Sequence, residues 1–346
     1  MNHAIRRIRC ILGIAALALA TSLSCQANAA QQYPSRPIRI LVPFPAGGAA
    51  DTVARTIGEQ LRQKLGQPVV VDNRPGAGGR LATEMLAKAE PDGYTLLVGT
   101  VGGIAVSPAL YTNLGYDTQR DIAPITRVAE ILNVMVLNPA NGARNVREFI
   151  DWAKKRGEVR FGSSGTGQPD HIAGEFFERL SGIKLTHVPY KGGAPALVDL
   201  VSGDIQLTFS TYIVALPHIQ SGRLRAVAVT TEQRQPLLPD LPAISETVPG
   251  FGVSNWEGMF APAKTPASLL DQLHAQINQA FKAPELRKRQ QGAGIDPQGS
   301  PSRQDFVRFV RDEMGRWSKL VKDAGIRVDQ ASSKPLTMSA ARSPRR

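Results

Sequence analysis

The alternation of short strand-like runs with helical patterns is what most constrains the fold of this chain. Ile38–Val42 is an apolar run interrupted only by Arg39 and ended by Pro43, which indicates a buried strand. Apolar residues then recur every fourth position from Val53 to Leu65, and Gly66 ends this helical pattern. Further strand-like runs are Val69–Val71, Thr95–Val98, Val134–Leu137, Val159–Phe161, His187–Val188, Ile205–Phe209 and Ala226–Val229. Strands that alternate with helices favour an α/β fold with largely parallel sheets.

The length of 346 residues suggests about two domains. With 42% hydrophobic and 20% charged residues, the chain has enough apolar material for its cores, which excludes a disordered protein. The C-terminal part returns to helical patterns, at Leu269–Phe281 and Phe306–Val321. Residues 330–346 are polar and basic without a pattern, so we predict a disordered tail there.

The N-terminus has the three parts of a secretory signal peptide. Arg6, Arg7 and Arg9 form a positive region, a short apolar stretch follows, and Ala27-Asn28-Ala29 is a small-x-small cleavage site. The apolar stretch is shorter than the about 20 residues that span a membrane. We therefore predict a signal peptide at residues 1–29, with an uncleaved anchor as the alternative.

Both cysteines, Cys10 and Cys25, lie in that segment. Cleavage after Ala29 would leave a mature chain without thiols, so neither disulfides nor cysteine metal ligands are expected. A lipoprotein acylated at Cys25 is a lesser alternative, because Ser22 stands where a Leu is expected three residues earlier.

The net charge of +12 is concentrated at the two ends of the chain. Three arginines near the start and four basic residues after residue 329 account for more than half of it. The body is only mildly basic and has no basic run interleaved with aromatic residues, so binding to nucleic acid is not expected.

The common catalytic templates fail on inspection. Gly162–Thr166 approaches the G-x-S-x-G motif of hydrolases, but Thr166 replaces the second glycine. Gly76–Gly79 follows a strand, but Leu81 replaces the last glycine of G-x-G-x-x-G. The histidines after residue 30 show no metal-binding spacing, and no P-loop occurs. We therefore expect no enzyme activity, metal or cofactor.

Two glycine- and hydroxyl-rich loops lie at strand-to-helix junctions, at Pro43–Asp51 and Ser163–Gly167. The first N–H groups of a helix have no partner within the helix and carry a partial positive charge, so such junctions hold carboxylates or phosphates. Tight turns without a ligand would look the same in sequence. Two such loops in a chain without a catalytic set favour capture of an anion between two lobes.

Eight distinctive segments run in order through nearly the whole mature chain. They are Tyr33–Ile38, Val42–Gly48 with Asp51 and Arg55, Asn73–Gly79, Pro91–Leu96, Phe161–Gly165, Val188–Gly193, Ser221–Ala226, and Ala261-Pro262 with Thr265-Pro266. On these residues the chain resembles the solute-binding proteins of tripartite tricarboxylate transporters, the Bug family of bacterial periplasmic proteins.

The resemblance implies an α/β, two-lobed periplasmic binding protein fold of the type II-like class. Each lobe would be a mainly parallel sheet flanked by helices, with the ligand cleft between the lobes. Lobe 1 would comprise residues 31–128 plus 253–329, and lobe 2 residues 129–252. The resemblance also places the mature protein in the periplasm as a monomer without a cofactor.

Carried over by position, the resemblance implies ligand contacts from both lobes. The first-lobe set is Phe44, Ala46, Gly47, Gly48, Thr100 and Gly102, with Asp51 capping the helix or contacting a ligand amino group. The second-lobe set is Ser163, Ser164, Gly165, Thr166, Gly167, Tyr190, Ser210 and Thr211. Asn255 and Trp256 would lie near the return to the first lobe, where Trp256 is either an aromatic wall of the cleft or a core residue.

The function implied is capture of a small carboxylate and its delivery to the membrane subunits of a tripartite tricarboxylate transporter. Presentation of the ligand to a membrane sensor kinase is the alternative. An exported hydrolase would need a Ser-His-Asp set that the sequence does not display, and Ser164 would then be the residue to test.

Overall fold

The computed structural model describes residues 33–282 and 284–324. The predicted signal peptide at 1–29, both cysteines and the predicted tail at 330–346 lie outside the described residues. No helix within the described part has the length and apolar character needed to cross a membrane.

The described strands form two sheets. Their bounds are β1 Ile38–Val42, β2 Val69–Asn73, β3 Thr95–Thr100, β4 Ile122–Ile131, β5 Val134–Leu137, β6 Glu158–Ser163, β7 Lys184–Pro189, β8 Leu207–Thr208, β9 Arg225–Val229, β10 Trp256–Pro262 and β11 Ile295–Pro297. The first sheet has the order β11-β4-β10-β3-β1-β2, and the second has the order β7-β6-β8-β5-β9. The first sheet thus takes strands from both ends of the described chain.

The predicted α/β fold of two sheets with flanking helices is confirmed, but both sheets are mixed rather than mainly parallel. In the first sheet, β1 pairs in parallel with β2 and β3, whereas β10 runs antiparallel to β3 and β4. In the second, β6 pairs in parallel with β7 and β8, but β5 runs antiparallel to β8 and β9. The reason is the passage between lobes. The chain crosses as extended backbone that continues into each sheet, rather than through a helix that would return it in parallel.

Helices cover these sheets. Their bounds are α1 Ala49–Leu65, α2 Arg80–Ala87, α3 Ser107–Leu110, α4 Thr118–Asp121, α5 Val146–Arg156, α6 Pro169–Ser181, α7 Gly193–Ser202, α8 Tyr212–Gln220, α9 Ala267–Ala280, α10 Pro284–Gln291 and α11 Arg303–Ala324. On α1, the periodic residues Val53, Ile57 and Leu61 are fully buried. Each such side chain stabilises the fold by about 1.5–3 kcal/mol. The helix ends at Gly66, whose left-handed φ of 69° closes it with a hydrogen bond to Arg62.

The chain passes between the lobes twice, near Asn133 and near Asn255. The boundary predicted between residues 128 and 129 falls inside β4, which continues to Ile131. Asn133 then lies between β4 and β5, and Asn255 immediately precedes β10. The side-chain amide of Asn255 donates to the Asn133 side-chain oxygen at 3.1 Å. The two crossing segments are therefore bonded to each other.

Candidate ligand-binding site

A cavity of about 200 Å³ lies between the two sheets. It is lined by the segments that follow the carboxyl ends of β1, β3, β6, β7 and β8, and by both crossing segments. The carboxyl edge of an open α/β sheet is the usual place for a ligand. Two such edges face each other here.

Asp51 positions the first-lobe loop. Its Oδ2 accepts hydrogen bonds from the Gly47 amide at 3.0 Å and from Arg55 Nε at 2.9 Å. Its Oδ1 accepts from the Asn73 side-chain amide at 3.1 Å, and that amide also reaches the carbonyl oxygen of Phe44. Burial alone would raise the pKa of Asp51, but these hydrogen bonds outweigh it and hold the pKa below its ordinary value. Asp51 is buried and does not line the cavity.

The corresponding loop of the second lobe uses its own amides. The Ser164 amide donates to Asp170 Oδ2 at 2.6 Å, and the Gly165 amide donates to Ser163 Oγ at 3.2 Å. The Gly167 amide donates to His171 Nδ1 at 3.1 Å. These N–H groups are therefore occupied within the loop, and they are not available to a ligand as the sequence suggested.

Two other helix N-termini supply free amides from opposite lobes. The N-cap of α1 is Gly48 and that of α7 is Gly192, and neither makes a side-chain capping hydrogen bond. Gly48, Ala49 and Ala50 line the cavity from the first lobe, and Gly192–Pro195 lines it from the second. The first N–H groups of both helices thus lie at the cavity without a partner inside their own helix. In α7 these are the amides of Gly193 and Ala194, because Pro195 has no N–H and the Gly192 amide donates to the carbonyl oxygen of Ser164.

Thr100 and Glu257 are cross-strand partners on β3 and β10, and both line the cavity. Thr100 Oγ1 and Glu257 Oε2 are buried without a hydrogen-bond partner. Burial raises the pKa of Glu257 to about 8. Asn133 and Asn255 complete this part of the lining.

A second carboxyl group, Asp170 in the first turn of α6, also lines the cavity. Burial raises the pKa of Asp170 to about 6, although the hydrogen bond from the Ser164 amide opposes the shift. No Lys, Arg or His is among the described residues that line this cavity. The positive potential for an anion therefore comes from helix N-termini.

The two lobes touch beside the cavity. The side-chain amide of Gln168, the N-cap residue of α6, donates to the carbonyl oxygen of Gly78 at 2.6 Å. A methyl group on Gly78 would overlap the carbonyl oxygen of Thr166, and one on Gly102 would overlap the Gln168 side chain. Glycine at these positions permits the close approach of the lobes.

The structure brings about half of the predicted site residues to the cavity. Those that line it are Phe44, Ala46, Gly47, Gly48, Thr100, Ser164, Ser210, Thr211 and Asn255. Those that do not are Asp51, Gly102, Ser163, Gly165, Thr166, Gly167, Tyr190 and Trp256.

The residues outside the lining have other partners. The Tyr190 hydroxyl donates to Asp199 at 2.6 Å, and Gly102 and Thr166 lie at the contact between lobes. Trp256 is only 1% exposed and its Nε1 donates to Glu313 at 2.6 Å, so the structure places it in the core. Alternation along β10 explains this, because Trp256 and Glu257 point to opposite faces.

Sequence reasoning missed several lining residues, notably Asn133, Gln168, Asp170, Gly193 and Glu257. Gly192-Gly193 ahead of Pro195 was an available signal for a helix start, because glycine precedes and proline occupies the first turn of many helices. Glu257 carried no such signal, since a lone Glu is usually exposed.

The position of Ser163 does not allow its hydroxyl to attack a ligand in the cavity. Its Oγ lies 2.6 Å from His187 Nε2, but Ser163 is fully buried and does not line the cavity. Burial and the adjacent His171 lower the pKa of His187 to about 3, and the two imidazole rings lie 4.0 Å apart. Among the described residues, no group of three His, Cys, Asp or Glu side chains could hold a metal.

Comparison with known proteins identifies relatives over nearly the full length. Residues 53–326 match the model of the tripartite tricarboxylate transporter family receptor. Protein BugT of Bordetella pertussis (strain Tohama I) is 34% identical over 92% of this chain and 98% of its own. R. palustris Rpa4515, solved with adipate, is 35% identical, with a TM-score of 0.82 over 85% of this chain and 99% of its own.

A third relative is MatC of Rhodopseudomonas palustris, solved with bound malate. It is 31% identical, with a TM-score of 0.78 over 84% of this chain and all of its own. The family matched, the sequence identities and the shared two-sheet architecture agree with the resemblance found in the sequence. The chain belongs to the tripartite tricarboxylate transporter receptor family.

Proposed function

We propose that this protein binds a small carboxylate in the cavity between its lobes and delivers it to the membrane subunits of a tripartite tricarboxylate transporter. The observation that carries the proposal is the pair of uncapped helix N-termini, α1 and α7, that face one cavity from opposite lobes. Such ends hold an anion without a cationic side chain. The relatives solved with adipate and malate support the same ligand class.

The size of the cavity restricts the ligand. At about 200 Å³ it lies below the roughly 300–1,000 Å³ of pockets for drug-sized molecules. A short aliphatic acid matches that space. Because α1 and α7 belong to different lobes, one carboxylate bound between them favours the closed arrangement of the lobes.

The protein acts as a receptor in the periplasm, reached by export through the cleavable signal at residues 1–29. The fold and family are those of binding proteins, and the buried Ser163–His187 pair gives no support to hydrolysis. Binding as a monomer requires nothing from a second copy, since both α1 and α7 belong to one chain.

The test is a thermal-shift screen of the purified protein against short mono-, di- and tricarboxylic acids, amino acids and aromatic acids, followed by calorimetry on each hit. A ligand at 100 times its Kd stabilises the folded protein by about 2.7 kcal/mol, which shifts the melting temperature measurably. Binding confined to acids, and lost with their amides, supports the proposal. Folded protein that binds none of these acids contradicts it.

A further inference from the structure

Glu257 is a buried carboxyl group at the cavity, and the fold leaves one of its oxygens unpaired. Its side chain is 3% exposed, it lines the cavity, and its Oε2 has no hydrogen-bond partner. Its cross-strand neighbours are Thr100 on β3 and Ala129 on β4, which are both uncharged. A buried carboxyl oxygen without a hydrogen-bond partner lowers the stability of the folded protein. A ligand group that bonded to this oxygen would remove that cost.

The surroundings of Glu257 indicate what partner would satisfy it. Thr100 Oγ1, on the strand next to it, is likewise buried without a partner. Asp170 adds a second carboxyl group to the cavity, and none of the described lining residues is Lys, Arg or His. The second carboxylate of a diacid would be repelled by the ionised forms of these two acids. An ammonium group would instead bring a positive charge and three hydrogen-bond donors for the unpaired oxygens.

We propose that Glu257 determines ligand specificity by pairing with an ammonium group, so that the ligand is an amino acid rather than a plain carboxylic acid. The proposal rests on the function proposed above and names the ligand class for the same cavity. The amides of α1 and α7 hold the carboxylate of this ligand. Glu257 and Thr100 receive its amino group.

The experiment compares acids that differ only by an amino group. Calorimetry measures the affinity for aspartate against succinate, glutamate against glutarate, 2-aminoadipate against adipate, and leucine against 4-methylpentanoate. We expect at least one amino acid to bind at least tenfold more tightly than its partner. Glu257→Gln should remove that preference. Glu130→Gln is the matched control, because Glu130 lies on the adjacent β4, pairs with Arg127 and does not line the cavity.

The dependence of ligand affinity on pH shows whether Glu257 binds the ligand as an ionised carboxylate or as a neutral, protonated carboxyl group. Only the ionised carboxylate pairs with an ammonium group, so affinity for the amino acid should rise between about pH 7 and about pH 8.5, as Glu257 loses its proton. Asp170 titrates below this window and contributes little to the change. A neutral Glu257 that donated to a second ligand carboxylate would give the opposite slope.

Each outcome decides a different claim. Tighter binding of the plain diacids, with Glu257→Gln indistinguishable from Glu130→Gln, overturns the role of Glu257 and leaves carboxylate binding intact. A loss of affinity that is equal for both members of a pair also overturns it, because the residue would then not read the amino group. Failure of every acid to bind folded protein overturns the proposed function, and this inference with it.

Discussion

Asp51 and Glu257 are both buried carboxyl groups near the cavity, yet their surroundings give them opposite properties. Asp51 accepts hydrogen bonds from Gly47, Arg55 and Asn73, which lower its pKa and fix the first-lobe loop. Glu257 has no such donors, and burial raises its pKa to about 8. The hydrogen-bonding capacity of Asp51 is used within the fold, whereas Glu257 keeps an oxygen that a ligand could bond.

We predict that Glu257→Gln stabilises the ligand-free protein at alkaline pH. The folded-state pKa of about 8 lies above the unfolded value of about 4.3, so between these values the unfolded state releases a proton that the folded state retains. The wild type therefore loses stability as pH rises through this window. We expect the variant to be more stable by about 4–5 kcal/mol near pH 8 and equal to the wild type near pH 4.

Denaturant unfolding of the wild type and of both Gln variants, at about pH 4 and about pH 8, measures this difference. Glu130→Gln should show the pH dependence of the wild type, because the Glu130 carboxylate is 28% exposed and paired with Arg127, rather than buried without a partner. Equal pH dependence in the wild type and Glu257→Gln would contradict the burial argument.

At the residue scale, the sequence predicted backbone loops better than side chains. The glycines and the Pro43–Gly48 loop were identifiable because φ preferences and strand ends are local properties. Gly47, with a φ of 87°, is a clear example. Glu257 was not identifiable, since its burial depends on pairing with β3 and β4, which are far away in sequence.

At the scale of elements, the site is built from helix ends. The helix α7 contributes its N-terminus to the cavity, although sequence reasoning assigned most of the second-lobe contacts to Ser163–Gly167, the loop before α6. In α6, the first-turn residue Asp170 accepts from the Ser164 amide and so closes its own loop. The free amides of α1 and α7 are therefore the ones that we expect to bind the ligand.

We predict that Ala194→Asp lowers the affinity for carboxylates at least tenfold. The new carboxylate lies in the first turn of α7, at the cavity, where it repels the ligand and competes for the same amides. Ala267→Asp is the matched control, because Ala267 is an exposed first-turn residue of α9 that does not line the cavity.

Both substitutions place an acid at a helix N-terminus, which stabilises a helix by about 0.3–1 kcal/mol. The loss of affinity in calorimetry should therefore come without a lower melting temperature. If Ala194→Asp bound carboxylates as well as Ala267→Asp does, α7 would have no part in the site.

The helix–strand alternation at β1, β2, β3, β5 and β6 could be predicted because each run is apolar and bounded by turn residues. Neither β4 nor β10 could be identified in this way. Arg127 and Glu130 interrupt the apolar pattern of β4, and Glu257-Gly258 interrupts that of β10. Both strands are established by long-range pairing within the first sheet, which a local pattern does not contain.

At the scale of the whole molecule, side-chain hydrogen bonds join the two lobes at two different places. Gln168 bonds Gly78 across the cleft, and the amide of Asn255 bonds Asn133 at the crossing segments. The Gln168–Gly78 bond forms where the surfaces of the two lobes meet. The Asn255–Asn133 bond joins the two segments of chain that connect the lobes. Closure of the cleft therefore depends on close approach at Gly78.

We predict that Gly78→Ala keeps the lobes apart. Its methyl group would overlap the Thr166 carbonyl oxygen, a backbone atom of the other lobe. Gly66→Ala is the matched control, because Gly66 has a similar φ of 69° but no atom within 4 Å of the added methyl. Each variant carries the backbone strain of a left-handed residue, about 1–2 kcal/mol, so only the contact between lobes differs.

Small-angle scattering with and without a saturating ligand measures closure, and calorimetry measures affinity. Gly78→Ala should bind at least tenfold more weakly than Gly66→Ala and should show a smaller decrease in radius of gyration. Equal compaction of the two variants would show that closure does not require the approach of Gly78 to Thr166.

The position of β10 in the first sheet has a consequence for how the chain folds. It lies between β3 and β4, although it follows β4 by more than 120 residues. During synthesis the second lobe can form while β3 and β4 still expose unpaired edges, because the N-terminal part emerges first. Exposed strand edges are sites of aggregation. The first lobe therefore stays open to misassembly until residues 256–262 have inserted, and a chain truncated before them has β4 with no strand beside it in this sheet, separated from β3, β1 and β2.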